Sequence, residues 1–406
     1  MWEEFPPIPT AEWEASIRAD LKGADYDKKL LWRTEEGITV RPFYRAEDLP
    51  GTTGQARFTG SWQITTAADI PRNAVRADLL HEQGATAVQE LGFALAESQG
   101  KRNIFVFSVG GNYFFEIAKL RAARQLWSRV SSEPMIIWSK TSLANKSLYD
   151  PSANLMRCTT EAMSAVFGGC DFLIIEPARF AEHLAHSLGR ILREESHLEY
   201  VSDPGGGSYY IESLTASIAN EAWKVYETGQ QTRDSAIATA RAVKEKAVAQ
   251  RKRTLIGVNN YPDLKEKLPP DASLPSTPWR MAVPFEQIRH RVEKSGRRPR
   301  VLLLQRGDVK MKMARANFCL NLFGCAGFEV TTSETLEPAA LIVLCSSDPE
   351  YLAFAQDVCA QTKSPVIVAG NPKEHIDALR AAGVQDFAYL GMDAVKFLSH
   401  WQEALT

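Results

Sequence analysis

The chain of 406 residues has 47 Lys and Arg against 49 Asp and Glu, a formal net charge of -2, and a hydrophobic fraction of 45%. This composition indicates a folded globular protein of two or three domains, and its near-neutral charge gives no electrostatic case for nucleic acid or an anionic membrane as partner. No apolar run approaches the ~20 residues of a membrane span, and the acidic N-terminus lacks the features of a signal peptide, so we predict a cytoplasmic protein.

Residues 1–50 have the character of an arm. Large apolar side chains, among them Trp2, Phe5 and Trp13, lie outside any long periodic element, and a short helix is predicted over 10–22. So much aromatic surface has to be covered, either by the chain's own domains or by a partner protein. The three aromatic residues are therefore candidates for a partner interface.

From about residue 60, strand-like and helix-like segments alternate. Ile104–Val109 is an apolar, β-rich run typical of a buried parallel strand, and the helix after it has an apolar residue every three or four positions. This rhythm predicts a parallel α/β sheet or a (β/α) barrel. The predicted strands are 104–109, 134–138, 172–175 and 254–258; the predicted helices are 112–130, 151–167 and 178–195, and 85–95 is either a helix or a helix-to-strand junction.

The C-terminal quarter repeats the alternation after a stretch rich in proline. That stretch, assigned to 263–298, reads as a linker, and residues 299–406 have the size and rhythm of a flavodoxin-like doubly wound domain. The turn 305–310, where such domains bind ligands, lacks the dinucleotide fingerprint. The strands are predicted near 301–304, 328–332, 341–345, 365–369 and 386–390, with helices at 311–324, 349–361 and 373–382.

Motifs that carry chemistry are scarce. The glycine run at 203–208 has no lysine of a P-loop after it, so a structural turn is favoured over a phosphate cradle. His183 and His186 share a helix face, but no third ligand follows at a matching spacing, so a polar face is favoured over a metal site. The six cysteines form no Cys-x-x-Cys pair and read as buried thiols. These residues alone predict an architecture and no reaction.

Several segments, taken in order, resemble the methylmalonyl-CoA mutase family. They are Asp20-Leu21-Lys22-Gly23-Ala24-Asp25, Gly84-Ala85-Thr86-Ala87-Val88-Gln89-Glu90-Leu91, Phe115-Glu116-Ile117-Ala118-Lys119-Leu120, Tyr149-Asp150-Pro151 with Asn154-Leu155-Met156-Arg157, Glu194-Glu195-Ser196, and Ile256-Gly257-Val258-Asn259. The resemblance implies a substrate barrel followed by a cobalamin-binding-type domain. It also implies radical isomerisation of methylmalonyl-CoA and succinyl-CoA with adenosylcobalamin.

The chain departs from the catalytic members of that family at two places. Catalytic chains hold cobalt through the histidine of Asp-x-His-x-x-Gly after the first strand of the C-terminal domain, where this chain has Asp308-Val309-Lys310 and no histidine from 291 to 374. They also carry a histidine before the Gly84 motif, at the position of Leu79 here; His81 comes two residues later. Moreover, the first domain has room for about five strands, short of the eight in a full barrel.

These departures resemble the small (beta) subunit of heterodimeric methylmalonyl-CoA mutases, which supports a large (alpha) subunit. We therefore predict a reduced or incomplete TIM-type (β/α) barrel plus a C-terminal flavodoxin-like domain, with an arm (1–50), a shortened barrel (51–262), a linker (263–298) and a degenerate cobalamin-binding-like domain (299–406). No catalytic, cofactor or metal residue is assigned, and adenosylcobalamin is placed in the partner. The alternatives are an acyl-CoA mutase that uses cobalamin supplied by a separate protein, and a ligand-sensing flavodoxin-like protein.

Overall fold

The computed structural model describes residues 8–49, 61–269, 272–275 and 277–406 and contains two five-stranded parallel sheets. The strands are β1 (Trp32–Arg33), β2 (Thr39–Val40), β3 (Gln63–Thr65), β4 (Val75–Arg76), β5 (Ile104–Val109), β6 (Ile136–Thr141), β7 (Phe172–Ile174), β8 (Arg300–Gln305), β9 (Glu329–Ser333), β10 (Leu341–Cys345), β11 (Val366–Ala369) and β12 (Val384–Ala388). The helices are α1 (Thr10–Asp20), α2 (Tyr26–Leu30), α3 (Ala77–Glu82), α4 (Ala87–Ser98), α5 (Tyr113–Val130), α6 (Pro151–Phe167), α7 (Glu182–Arg190), α8 (Tyr209–Thr228), α9 (Arg233–Ala249), α10 (Val283–Lys294), α11 (Val309–Cys325), α12 (Tyr351–Gln361), α13 (Ile376–Ala381) and α14 (Ala394–Leu405).

The first sheet has the strand order of an open barrel, in which the described residues contain no pairing between the first and second strands. Strands β4, β5, β6 and β7 follow one another in chain order, and β3 pairs with the far side of β7; every pairing is parallel. In a closed barrel β3 and β4 would be joined through further strands, whereas among the described residues these two form the edges of the sheet. The predicted reduced (β/α) barrel is thereby confirmed.

The short connection between β3 and β4 covers the inner face of this open barrel. Ile70 and Ala74 pack against Val106, Trp138 and Ile174, which point away from the surrounding helices. Next to them, the rings of Trp138 and Phe172 stack with their centroids 4.3 Å apart. Large apolar side chains therefore fill the place where a full barrel would have its axis.

The outer face of the first sheet forms the larger core. Phe105, Phe107, Ile137 and Leu173 alternate with the inner residues and pack on the apolar stripes of α4, α5, α6 and α8. The packing of α5 on the sheet follows from its apolar periodicity, which places Leu120, Ala123 and Trp127 on one buried face of the helix. This layer fixes the helices against the strands and so positions the loops at the carboxyl edge.

The second sheet has the order β12-β11-β10-β8-β9, and all its pairs are parallel. In chain order this is the arrangement 2-1-3-4-5 of flavodoxin-like domains, so the predicted doubly wound domain is confirmed. Its crevice, where the chain switches direction, lies between the carboxyl ends of β8 and β10.

Several local features differ from the sequence-based expectation. The predicted strand at 254–258 is wrong. Ile256 makes a single bridge to Asn260. The side-chain oxygen of Asn259 accepts a hydrogen bond from the backbone N–H of Leu255 at 2.7 Å, which closes a turn. The segment assigned to a linker contains α10, which is largely buried. The C-terminal helix α14 was absent from the prediction. The four domain boundaries stay predictions.

The arm is partly joined to the first unit. The hairpin β1–β2 reaches the start of α4, where the Glu36 carboxylate accepts the N–H of Val88 at 3.2 Å. Helix α1 differs, since none of its 11 described residues is buried. Trp13 of that helix is 47% exposed, and its ring lies against that of Phe43, with centroids 5.7 Å apart. Trp2 and Phe5, the other two interface candidates, lie outside the described residues.

Candidate functional site

Charged side chains crowd the carboxyl edge of the first sheet, where enzymes of the (β/α) type place their active sites. Lys140, at the end of β6, lies 3.0 Å from Glu82, 3.3 Å from Glu176 and 4.0 Å from Asp78. Asp78 has no exposed surface and is held by two hydrogen bonds from Arg76, at 2.8 and 2.7 Å. We call these five residues the mouth cluster. Burial alone would lower the pKa of Lys140, but Glu176 and Glu82 raise it overall, so the ammonium stays charged.

A second group, the lysine cluster, lies deeper and consists of Glu90, Glu116 and Lys119. The Lys119 ammonium is 2.9 Å from Glu90 and 2.7 Å from Glu116, and it donates to the carbonyl of Ser108. Burial of Glu90 favours its neutral form, yet Lys119 and His81 lower its pKa below the ordinary value. The two carboxylates likewise raise the pKa of Lys119 against the effect of burial. The cluster is therefore an ionised network inside the protein.

His81 connects the lysine cluster to the end of β6. Its Nε2 is 2.8 Å from Ser142 Oγ, and its Nδ1 is 3.6 Å from a Glu90 oxygen. These three residue types form nucleophilic triads in hydrolases. Here the Ser142 oxygen also accepts the N–H of Ala144 at 3.1 Å, and the residue is only 1% exposed. A hydroxyl buried in this way is out of reach of a substrate carbonyl, so the contacts order the edge.

The chain itself covers the loop that follows β6. The N–H of Met281 donates to the carbonyl of Ala144 at 2.8 Å, and Glu286 of α10 accepts the N–H of Leu148 at 2.6 Å. Underneath, Lys146 is buried against Glu161 at 2.6 Å. Ion pairs thus fill this part of the edge on its inner side. The segment before α10 covers it on the outer side. In the described residues, the carboxylates named here all have cationic or backbone partners, which suits a structural role.

The other candidates from the sequence are the glycine run, the histidine pair and the cysteines. Arg121 binds Asp203 at 2.8 Å and Glu212 at 2.7 Å, which ties the glycine run 203–208 to α5 as the favoured turn. His183 and His186 lie on α7, and no group of three His, Cys, Asp or Glu that could hold a metal occurs in the described part of the chain. All six cysteines are free thiols.

A glutamate occupies the crevice of the second sheet. Glu350 follows β10, and its carboxylate accepts the hydroxyls of Ser346 at 2.7 Å and Ser347 at 2.5 Å. Hydrogen bonds from Ser347 and Ser346 lower the pKa of Glu350 to about 2. The carboxylate also lies against Gly307, whose φ of +81° and lack of a Cβ allow the close approach. Glu350 thus joins the turn after β8 to the turn after β10.

This geometry does not fit a cobalt ligand at the family's position. Lys310 stands there, exposed on the first turn of α11, and a protonated amine has no lone pair to offer a metal. Asp308 before it caps that helix through the N–H of Met311 at 2.8 Å. At the barrel edge the corresponding catalytic position is Leu79, which is 43% exposed. Both replacements were visible in the sequence.

The buried ion pairs were not predicted from the sequence. Glu116 and Lys119 share a helix face, a relation that spacing could have revealed. The second carboxylate that binds Lys119, Glu90, comes from α4, and the partners of Lys140 come from α3 and the end of β7. Such contacts between separate loops have no local signature.

Comparisons with known proteins agree with this architecture. The family model of methylmalonyl-CoA mutase matches residues 61–291. The chain is 28% identical to the methylmalonyl-CoA mutase small subunit of Porphyromonas gingivalis, over 603 aligned positions that cover 98% of this chain and 97% of the relative. Because the alignment is much longer than the chain, it must contain long gaps, in keeping with the reduced barrel.

Two further relatives are similar over smaller parts. The methylmalonyl-CoA mutase small subunit of Streptomyces virginiae is 30% identical over 388 residues, which is 79% of this chain and 62% of the relative. The methylmalonyl-CoA mutase of Cereibacter sphaeroides is 33% identical over 248 residues, which is 50% of this chain and 35% of the relative. The matches to these two proteins therefore cover less than two thirds of their length.

Proposed function

Since this chain belongs to the methylmalonyl-CoA mutase family, we propose that it is a non-catalytic small subunit that supports a large catalytic subunit in the adenosylcobalamin-dependent interconversion of methylmalonyl-CoA and succinyl-CoA. Relatives from Porphyromonas and Streptomyces carry the name small subunit. The observation that carries the proposal is the filled inner face of the open barrel. A CoA ester would have to displace Trp138, Phe172 and Ile70 to lie along that axis.

The cofactor belongs to the partner in this proposal. When bound, adenosylcobalamin would supply the radical that starts the rearrangement, and a protein that uses it at this place needs a free crevice. Here Glu350 fills the crevice between β8 and β10, and Lys310 replaces the imidazole. A corrinoid would have to break the hydrogen bonds of Glu350 without gaining a cobalt ligand in exchange.

Helix α1 supports the assignment of a protein partner. An isolated helix of its length is marginal in water, and no described residue of α1 is buried to stabilise it. Trp13 adds an indole that is nearly half exposed, the kind of side chain that anchors protein interfaces. We place the contact with the large subunit on this helix, and the assembly in the cytoplasm, which keeps thiols such as these six reduced.

The test is reconstitution. The full chain would be purified alone and together with its large subunit, and mutase activity and the absorption spectrum of adenosylcobalamin would be recorded for each. We expect a stable complex of the two chains, activity only when the large subunit is present, and no spectral change when adenosylcobalamin is added to this chain alone. A chain that ignores the large subunit in size-exclusion chromatography would refute the proposal.

A matched control separates support from catalysis. Lys310→Ala removes the side chain at the place of the cobalt ligand and should leave the activity of the complex unchanged, because Lys310 is exposed and bonded to no described residue. Loss of turnover in that variant, with the complex intact, would instead favour the alternative of a mutase that uses cobalamin from another protein.

A further inference from the structure

A cleft of about 690 Å³ opens between the first and second units of the chain, away from the mouth cluster. It is bounded by α9, by residues 279–284 and by the start of α14. Binding sites for small molecules have volumes of roughly 300–1,000 Å³ and form preferentially at boundaries between structural units. Both the size and the place of this cleft therefore suit a ligand site that is independent of the proposed function.

The floor of the cleft is apolar and its wall is fixed. Val248, Met281 and Val283 provide the floor. The indole of Trp279, which is only 7% exposed, donates through Nε1 to Glu245 at 2.9 Å. The guanidinium of Arg241 lies 5.2 Å from the centroid of the same ring. Because these contacts hold the indole in place, the wall is formed before any ligand arrives, which lowers the cost of binding.

The charge of the cleft is positive although the chain as a whole is acidic. Its lining has Arg241, Lys246, Arg280 and Lys396 against Glu245 and Asp393. Both carboxylates are already engaged: Glu245 accepts Arg241 at 2.9 Å as well as the indole N–H, and Asp393 caps α14 by accepting the N–H of Lys396 at 3.0 Å. Lys246 forms no ion pair with any residue that the structure describes. Arg241 and Arg280 are paired with Glu245 and Glu286. The Lys396 ammonium lies 3.7 Å from Asp393 but is 86% exposed, so Lys246 and Lys396 are the two cations that can turn to an anion, beside the positive end of the α14 dipole.

We propose that this cleft binds an organic anion with an apolar body. The apolar part lies on Val248 and Met281, and the acidic group is held by Lys246 and Lys396. This division of labour, an apolar floor with a few polar groups that orient the ligand, is general for small-molecule sites.

Two matched fluorescent probes test the proposal on the full chain. The anion 8-anilinonaphthalene-1-sulfonate and the neutral N-phenyl-1-naphthylamine share their aromatic body and differ in the sulfonate. We expect the anion to bind at least about tenfold more tightly, with an affinity that falls as salt is added. The double variant Lys246→Glu/Lys396→Glu should weaken the anion about tenfold or more and leave the neutral probe unchanged. Lys396 is 86% exposed and Lys246 is exposed too, so we expect the variant to keep the fold.

Another cavity of the described residues serves as the control. It measures about 480 Å³ and is lined by Phe43, Tyr44, Tyr209 and Tyr210 among others. Tyr209→Ala should leave binding of the anion unchanged, whereas Met281→Trp, which fills the floor of the cleft, should abolish it. Equal affinity for the two probes, indifference to the charge reversal, or loss of binding in Tyr209→Ala would each overturn the proposal.

Discussion

Lys119 shows at the scale of a residue how the carboxyl edge is held together. Its ammonium has no exposed surface and sits between Glu90 and Glu116. A buried charge without a partner is far more costly than a surface charge, so each member of the lysine cluster depends on the others. The three side chains thus serve one another as counterions and hold α4 against α5.

We expect Lys119→Met to lower the free energy of unfolding by about 3–5 kcal/mol, because it leaves two carboxylates buried without their cation. Urea denaturation followed by circular dichroism measures the change. The matched control is Lys224→Met, which removes a pair with Glu221 whose lysine is largely exposed. That pair should contribute at most about 1 kcal/mol. Equal losses in the two variants would contradict the assignment of a buried network.

The same cluster predicts a pH dependence. The pKa of Glu90 in the folded chain is lowered from 4.5, so the stability it contributes is present above that value and is lost as the pH falls through the folded pKa. The pKa of Lys119 is raised from 10.5, so its contribution is present below that value and is lost in strong base. Between the two, the contribution is constant.

Thermal unfolding from neutral pH down to about pH 3 checks the acid side. Glu90→Gln should melt lower at neutral pH and should lose less stability on acidification than the parent chain, since it lacks the carboxylate that must take up a proton. A variant whose melting temperature falls as steeply as that of the parent would show that other carboxylates govern the acid limb.

At the scale of the element, α1 is the feature that calls for a partner. We expect Trp13→Ala to weaken binding to the large subunit by about tenfold or more, because exposed tryptophans are typical hot spots of interfaces. The melting temperature of the free chain should barely change, since Trp13 is nearly half exposed on a helix without buried residues. Calorimetric titration gives the affinity. Tyr200→Ala, at another exposed aromatic residue, is the control and should bind normally.

The elements also show how far the sequence reaches. The strands predicted at 104–109 and 341–345 coincide with β5 and β10, because a continuous run of β-branched and aromatic residues has few other stable arrangements. The run at 254–258 is also apolar, but Gly257 adopts a φ of +80° and Asn259 closes the turn. Composition alone cannot reveal that tertiary choice.

Very short elements and contacts between distant residues could not be predicted from the sequence for another reason. Strand β4 has two residues and β3 has three, so neither shows a periodic pattern. The lysine at position 310, where the resemblance places a cobalt-binding histidine, can be read directly from the sequence. In contrast, the contacts of Glu350 in the crevice of the second sheet require Ser346 and Gly307 to lie side by side. These two residues are distant in sequence and are brought together by the fold.

At the scale of the whole molecule, α10 joins the two units. Its Glu286 pairs with Arg280 at 2.8 Å, and its Glu293 accepts the hydroxyl of Tyr149 from the first unit at 2.8 Å. The opposite face of the helix, with Phe285, Ile288 and Val292, belongs to the core of the second unit. A helix shared in this way should make the chain unfold as one cooperative body.

Differential scanning calorimetry measures that cooperativity. We expect one transition for the parent chain. Arg280→Met leaves Glu286 buried without its cation, so it should cost about 3 kcal/mol or more and separate the transition into two. Arg300→Met, which breaks an exposed pair with Glu337, is the control and should keep a single peak. Two peaks already present in the parent would contradict the shared-helix account.

The gap in the first sheet has a consequence for the order in which the chain folds. Strands β4 to β7 pair with neighbours in sequence, so their contacts close short loops. Among the described residues, strand β3 pairs with β7 alone, across roughly a hundred residues, and closing so long a loop carries a larger entropic cost. A ribosome delivers β3 before all the other strands of this sheet, yet we expect it to wait until β7 has formed. Strand β3 would thus be synthesised first and join the sheet last.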